Sequence, residues 1–258
     1  MTFWLQREIA IVKEREAHMD DGCQNKASGA LKCMSRLVRL NRRTLIIAVC
    51  IVVFLALFED IAEGQIMHLD VLAYRFFVEY LRSDALTPVM GEITNIASPT
   101  VLVVLWLVVS ALSPGKRPGL CMALNFACSV VLNYLLKFIV QRPRPEGFRL
   151  VSASGYSFPS GHSMIAMAFF GLIIYFVWYY EEDRCQRWIW TICFSIVIAL
   201  IGISRIYLGV HYASDVVAGF CVSMAWLAVY TKLFCPLLLG ERPASSSSDA
   251  TAAKPPEI

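Results

Sequence analysis

Long apolar stretches separated by short charged turns set the rhythm of this chain. Residues 44–62 form the first, and Glu59, Asp60 and Glu63 mark its far end. A helix needs about 20 apolar residues to cross the hydrocarbon of a bilayer, so this stretch is predicted to span. Residues 66–86 carry Leu69, Ala73, Phe76 and Tyr80 at helical spacing, interrupted by Asp70, Glu79 and Arg82. That pattern predicts an amphipathic helix lying in the interface, with a packed loop helix as the alternative. The second span is predicted at 89–112. Its first third holds Glu92, Thr94, Asn95 and Ser98, which are expected to face other helices rather than lipid. A basic turn at 113–118 leads into the third span at 119–140. Residues 141–160 are read as a loop, 161–180 as the fourth span and 181–187 as a charged turn. The fifth span is predicted at 188–207 and the sixth at 211–233.

The predicted class is all-α: a polytopic membrane protein of six transmembrane helices with an amphipathic interfacial helix between the first and second. Residues 1–43 read as a basic cytoplasmic arm, 44–234 as the membrane domain, and 235–258 as a tail whose serine run and prolines predict disorder.

Composition agrees with this reading. Of 258 residues, 57% are hydrophobic and 17% charged, against about 45–50% and about 25% in an average soluble domain. Mean hydropathy is +0.59. A net charge of +3 is too small to suggest a nucleic-acid partner. Nine cysteines with no CxxC spacing imply no disulfide framework. The first long apolar run begins only at Thr44, behind nine basic residues, so no cleavable leader is expected. Six spans put both termini on one side. The basic arm, Lys116 with Arg117, and Arg184 with Arg187 all fall on that side, which the positive-inside rule makes cytoplasmic. Arg142, Arg144 and Arg149 fall on the opposite face and need another reason; anion binding is one.

The polar residues at span ends converge. Lys137 closes span three, and Arg144-Pro145 follow in the next loop. Ser160, Gly161 and His162 open span four, Ser204 and Arg205 close span five, and His211 and Asp215 open span six. Alternating chain direction puts all of them on the outer face. Taken singly, each has an ordinary explanation. Lys137 would snorkel, the arginines would meet lipid headgroups, and a His–Asp pair four apart would be a surface pair. Their joint occurrence on one face outweighs those explanations. His18 and His68 are assigned nothing.

The residue types are those that phosphate chemistry needs. Arg144, Arg205 and Lys137 supply three cations, and Arg offers a planar donor fork for phosphate oxygens. Pro143 and Pro145 stiffen the segment that presents Arg144. Ser160 is predicted as an N-cap, with the free N–H groups of the following turn favouring an anion. Gly161 lets a ligand approach the backbone. His211 and Asp215, four apart, share a helix face. The carboxylate can hold one ring nitrogen protonated and aim the other as a nucleophile. His162 would protonate the leaving oxygen and then activate water.

These stretches resemble the type-2 phosphatidic acid phosphatase superfamily. Lys137, six residues and Arg144-Pro145 match its first motif, Pro159-Ser160-Gly161-His162 its second, and Ser204-Arg205 through His211 and Asp215 its third. The resemblance covers residues 44–234. It implies a six-helix membrane enzyme with no metal or other cofactor, His211 as nucleophile, Asp215 as its partner and His162 as acid. Lys137, Arg144, Ser160, Gly161 and Arg205 would bind phosphate. The run from Arg142 to Phe158 is most similar to bacterial members, which implies a bacterial cell membrane; the basic residues counted above then give cytoplasmic termini and an extracytoplasmic site. It also implies a lipid phosphate substrate: phosphatidylglycerol phosphate, undecaprenyl pyrophosphate or a phosphatidate-like lipid. The alternatives are a lipid transporter or scramblase that kept the fold, and a phosphotransferase or vanadium-haloperoxidase-like activity in the same pocket. The segment 66–86 is expected to wall the lipid's route to the site.

Overall fold

Every regular element among residues 42–113, 115–145 and 149–239 is a helix; these are the residues that the computed structural model describes. α1 is Arg42–Ala62 and α2 is His68–Tyr74, which runs directly into a π-helical turn at Arg75–Tyr80. α3 is Leu86–Asn95, α4 Pro99–Leu112, α5 Arg117–Val140, α6 Gly161–Tyr180, α7 Arg184–Tyr207 and α8 Ala213–Leu239. α1, α5, α6, α7 and α8 are long and apolar enough to cross a membrane, as the all-α polytopic class requires. The chain divides into two units, Met1–Ala48 and Val49–Ile258. In the first, only the opening turns of α1 are described. The rest of the predicted basic arm, and residues 240–258 of the predicted tail, lie outside the described residues.

The predicted second span is broken. α3 and α4 meet at 55°, and they make a sixth span only when taken together. The cause is local: Ser98 is extended (ψ 148°) and caps α4 by accepting from the Val101 N–H, and Pro99 follows at the first helical position. A residue before proline is driven out of the helical region, so the helix cannot run through. Of the polar residues expected to face inward, Thr94 is half-buried, whereas Glu92 and Asn95 are exposed.

Two other boundaries move. α7 starts at Arg184, inside the predicted charged turn, because Asp183 caps it through the Cys185 N–H. α8 opens at Ala213, two residues after the predicted start of span six, and runs on to Leu239 through Pro236. Residues 235–239 therefore belong to the helix and not to the tail. Cys235 and Leu239 are buried in the main core, which holds this last turn in place.

α6 is the helix on which the second unit is built. α5, α7 and α8 all pack against it, and 44% of its most apolar window is enclosed by protein, the largest share among the five. Phe169, Phe170, Leu172 and Phe176 of α6 meet Met122 of α5, Ile198 and Ile201 of α7, and Tyr230 of α8. Inside a bilayer, leaving water is no longer the driving force between helices, so packing and interhelical hydrogen bonds carry association. Asn125 Nδ2 donates to Ala168 O (2.8 Å), Trp226 Nε1 to Asn125 Oδ1 (2.9 Å), and Tyr230 Oη to Cys121 O (2.7 Å). Bonds of this kind average about 0.6 kcal/mol each. The chain reverses at each turn, which brings the C-terminal ends of α5 and α7 to the N-terminal ends of α6 and α8.

Candidate active site

α5 stops at Gln141, which takes a left-handed conformation (φ 51°) and returns its N–H to Lys137 O. The chain then folds back through Pro143 and Pro145 over the helix ends. Lys137 Nζ donates to Tyr156 O at 2.6 Å. Arg144 is held by three carbonyls: Nε donates to Gly155 O (3.0 Å), Nη2 to Ser154 O (2.9 Å) and Nη1 to Val210 O (3.0 Å). Arg205, in the last turn of α7, donates from Nη1 to Thr94 Oγ1 at 2.8 Å. Its Nε is buried and has no partner. None of these three cations forms an ion pair among the described residues.

The N-terminus of α6 faces them. Ser160 is extended, and its Oγ accepts from the Ser163 N–H (3.5 Å) and Oγ (2.9 Å), the capping role predicted for it. Its own N–H donates to Asp215 O (3.0 Å), which ties α6 to the start of α8. That close approach depends on Gly219, where a Cβ would lie 3.0 Å from Ser160 O. Gly161 has a second reason to lack a side chain: a Cβ there would lie 3.1 Å from Asn133 Oδ1. His162 is half-buried, within the electrostatic reach of Arg205, His211, Lys137 and Arg144.

His211 sits in the bend before α8. Arg144 Nη1 lies 3.2 Å from His211 Nε2. A guanidinium can only donate, so Nε2 presents its lone pair and the ring proton is on Nδ1. That nitrogen lies 3.4 Å from both Asp215 Oδ2 and Ser157 Oγ. Burial pushes the His211 pKa down to about 4, against the opposing pull of the Asp215 hydrogen bond and charge, so the ring is neutral at pH 7. Asp215 is fully enclosed and fully served. Oδ2 accepts from the Ser157 hydroxyl and the Tyr212 N–H (2.9 Å), and Oδ1 from Arg142 Nη1 (2.6 Å).

The arrangement offers a nucleophilic nitrogen, a second imidazole, three cations without counter-charges and a helix N-terminus, all at one end of the bundle. Such a receptacle is chemically suited to a dianionic phosphoryl group. A family model described as the PAP2 superfamily matches residues 118–235. Phosphatidylglycerophosphatase B of Bacillus subtilis (strain 168) is 35% identical over 149 residues, covering 56% of this chain and 73% of that protein. The chain belongs to the PAP2 superfamily. With such relatives it is a lipid phosphatase of PAP2 type, embedded in a membrane by several helices. An undecaprenyl-diphosphatase of Sulfolobus acidocaldarius is 26% identical over 133 residues, 48% of this chain and 60% of that protein. The crystal structure of a transmembrane PAP2-type phosphatidylglycerolphosphate phosphatase from Bacillus subtilis superposes with a TM-score of 0.65 at 28% identity, covering 74% of this chain and 95% of that one.

All eight residues singled out in the sequence lie at this end of the PAP2 domain. Reasoning from sequence missed what holds them. Arg142 was grouped with Arg144 and Arg149 as an anion-binding candidate. Instead it is buried, bridges Asp215 and Asp70 (2.6 and 2.9 Å), and lies over the Tyr212 ring at 4.0 Å. Arg149 donates from Nε to Pro145 O (2.8 Å) and braces the loop. Asp70, Ser157, Ser214, Thr94 and Asn133 were not recognised as supports. The doubled Arg-Pro-Arg-Pro at 142–145 was the available signal, since one phosphate-facing arginine does not require two.

Proposed function

We propose that this protein removes a terminal phosphate from a membrane lipid through a phosphohistidine on His211. The substrate is a phosphomonoester or diphosphate headgroup. Phosphatidylglycerol phosphate is the first candidate, because the relative with 35% identity is named for it. Undecaprenyl diphosphate and phosphatidate-like lipids follow. Nε2 of His211 attacks phosphorus while the bond to the leaving oxygen breaks. His162 donates the proton that oxygen needs, and Asp215 supports the imidazolium through Nδ1–H. His162 then takes a proton from water, which attacks the phosphohistidine, breaks the P–N bond and releases phosphate. Lys137, Arg144 and Arg205, with the N–H groups at Ser160–His162, hold the equatorial oxygens as their charge grows. No step draws on a metal, so a chelator leaves the rate unchanged.

The observation that carries this reading is the Arg144–His211 contact at 3.2 Å, which supports the tautomer with its lone pair on Nε2, turned toward the proposed phosphate-binding cations. On this reading α3 and α4 count as one bent span, and the basic residues at 116–117 and 184–187 favour cytoplasmic termini with this end outside the membrane. α2 lies in the interface beside it. The test is phosphate release from the three lipids in detergent by wild type and His211→Ala. A drop of about 10³-fold or more is expected in the variant, together with loss of an acid-labile phosphoenzyme. Undiminished release from His211→Ala rejects the reading.

A further inference from the structure

Between α2 and α8 lies a buried charge cluster of which the proposed reaction uses only Asp215. Asp70, in the first turn of α2, is 2% exposed and Arg142 7%. Asp70 Oδ2 accepts from Arg142 Nη2 (2.9 Å) and from Ser214 Oγ (2.8 Å), and Oδ1 accepts from the Ser214 N–H (2.8 Å). Arg142 Nη1 is shared between Asp215 Oδ1 (2.6 Å) and Ser214 Oγ (2.8 Å). Two carboxylates therefore flank one guanidinium, and only one of them touches the histidine pair. The Asp70–Ser214 bond also satisfies one of the N–H groups that the start of α8 leaves free.

We infer that Asp70, acting through Arg142, is a positioning residue that keeps the charge of Asp215 available to His211. This rests on the reading of His211 as nucleophile. An Arg142–Asp215 pair alone would be neutral, and the cation would offset the field that Asp215 exerts on the imidazole. Asp70 supplies a second negative charge on the far side of Arg142, so the cluster carries a net −1. That charge is balanced when Nε2 bonds phosphorus and the ring becomes cationic. Low dielectric inside the protein makes such a balance far stronger than in water. The same bonds fix the geometry: Arg142 cannot tilt away from Asp215 Oδ1 while Asp70 and Ser214 hold its other edge. A misplacement of about 1 Å at a reacting group can cost about 10²-fold.

A purely structural role, in which Asp70 only docks α2, makes a different forecast. The experiment uses the full chain in detergent with two substrates, phosphatidate and soluble p-nitrophenyl phosphate. Asp70→Asn keeps the shape and removes the charge. We expect kcat to fall by about 10–100-fold on both substrates with KM within about threefold, and Asp70→Glu to recover part of the rate. The charge argument adds a sharper forecast. In an Arg142→Gln background no cation remains to offset, so Asp70→Asn causes less than about threefold further loss, a coupling that a double-mutant cycle reads directly. This doubly neutral variant carries the test if Asp70→Asn alone does not fold. Loss confined to phosphatidate, a change in KM alone, or losses that multiply in the double variant would each overturn the inference. An active His211→Ala would instead overturn the underlying reading, whereas an inactive His211→Ala beside a fully active Asp70→Asn leaves that reading standing and rejects this one.

Discussion

The two halves of the site are built on opposite electrostatic plans. The receptacle gathers Lys137, Arg144 and Arg205 around a helix N-terminus, held by carbonyls, Thr94 and the His211 ring, with the Arg205 Nε left without any partner. The base cluster behind His211 is saturated. Asp70, Arg142, Ser157, Ser214 and Asp215 satisfy one another, and two anions meet one cation. Like charges left unmatched cost stability, and a dianion bound there would relieve that repulsion. The saturated half contributes rigidity and a fixed proton position. The proposed phosphate pocket thus lies where cations are left without counter-charges, and the support for His211 where side chains are hydrogen-bonded to one another.

The largest expected effect comes from breaking the saturated half. Arg142→Met leaves two buried carboxylates without their cation. Removing one partner of such a cluster costs about 3–5 kcal/mol, so the chemical-denaturation midpoint should fall sharply and activity with it. A variant of normal stability would show that the cluster is not what secures α2 to α8. The receptacle should behave in the reverse way. Arg205→Ala is expected to lower kcat/KM by about 10²–10³-fold, as does loss of one preorganised donor to a transition state. Inhibition by orthovanadate should weaken alongside it. Its stability should match or exceed wild type, because a cation that repels Arg144 is gone. Equal destabilisation in both variants would erase the contrast between the halves.

Much of this division was legible in the chain. Hydrophobic runs gave the helices, and alternating direction brought Lys137, Arg144, Ser160, His162, Arg205, His211 and Asp215 to one end. The supports were not legible, for a physical reason. Asp70 lies 72 residues from Arg142 and 144 from Ser214, and its segment shows only that a charge interrupts an apolar pattern. Periodicity tells which face a residue occupies, not which distant partner waits there. The break before α4 was different: Ser98-Pro99 is a local signal, outweighed by the apolar run around it. The last turn of α8 was hidden because Pro236 reads as a stop, while the burial of Cys235 and Leu239 is a tertiary effect.

A pH titration sharpens the same comparison with less drastic chemistry. His211 joins the halves, and burial holds its pKa near 4, against about 6.5 for a free side chain. A folded-state pKa below the unfolded one means that the unfolded chain takes up the proton first as pH falls. His211 therefore contributes stability that is present above about pH 6.5 and lost as pH drops through 4. Nitrogen spectra of histidine-labelled protein, assigned with His211→Ala, should show this ring neutral down to about pH 5. Titration at the ordinary value would mean that the Asp215 charge outweighs burial, and the acid limb of activity would rise to match.

The smallest effect concerns the wall beside the receptacle. The segment 66–86, expected to wall the lipid's route, carries two adjacent aromatic rings at Phe76 and Phe77. The structure separates the two. Phe76 is 52% exposed, whereas Phe77 packs against Ile206, Ala213 and Val216 in the core beneath α2. The rings meet edge to face with centroids 5.0 Å apart. Replacing both would mix loss of a lipid contact with loss of packing near Asp215. Phe76→Ala alone isolates the wall. It should reduce turnover of phosphatidate by about 3–10-fold, which corresponds to about 0.7–1.4 kcal/mol of apolar contact, and leave p-nitrophenyl phosphate unaffected. Phe77→Ala should slow both substrates, because its loss loosens α2 where Asp70 reaches Arg142. If Phe76→Ala slowed both equally, the exposed ring would belong to the positioning half, and the line between wall and site would have to be redrawn within the π-helical turn that follows α2.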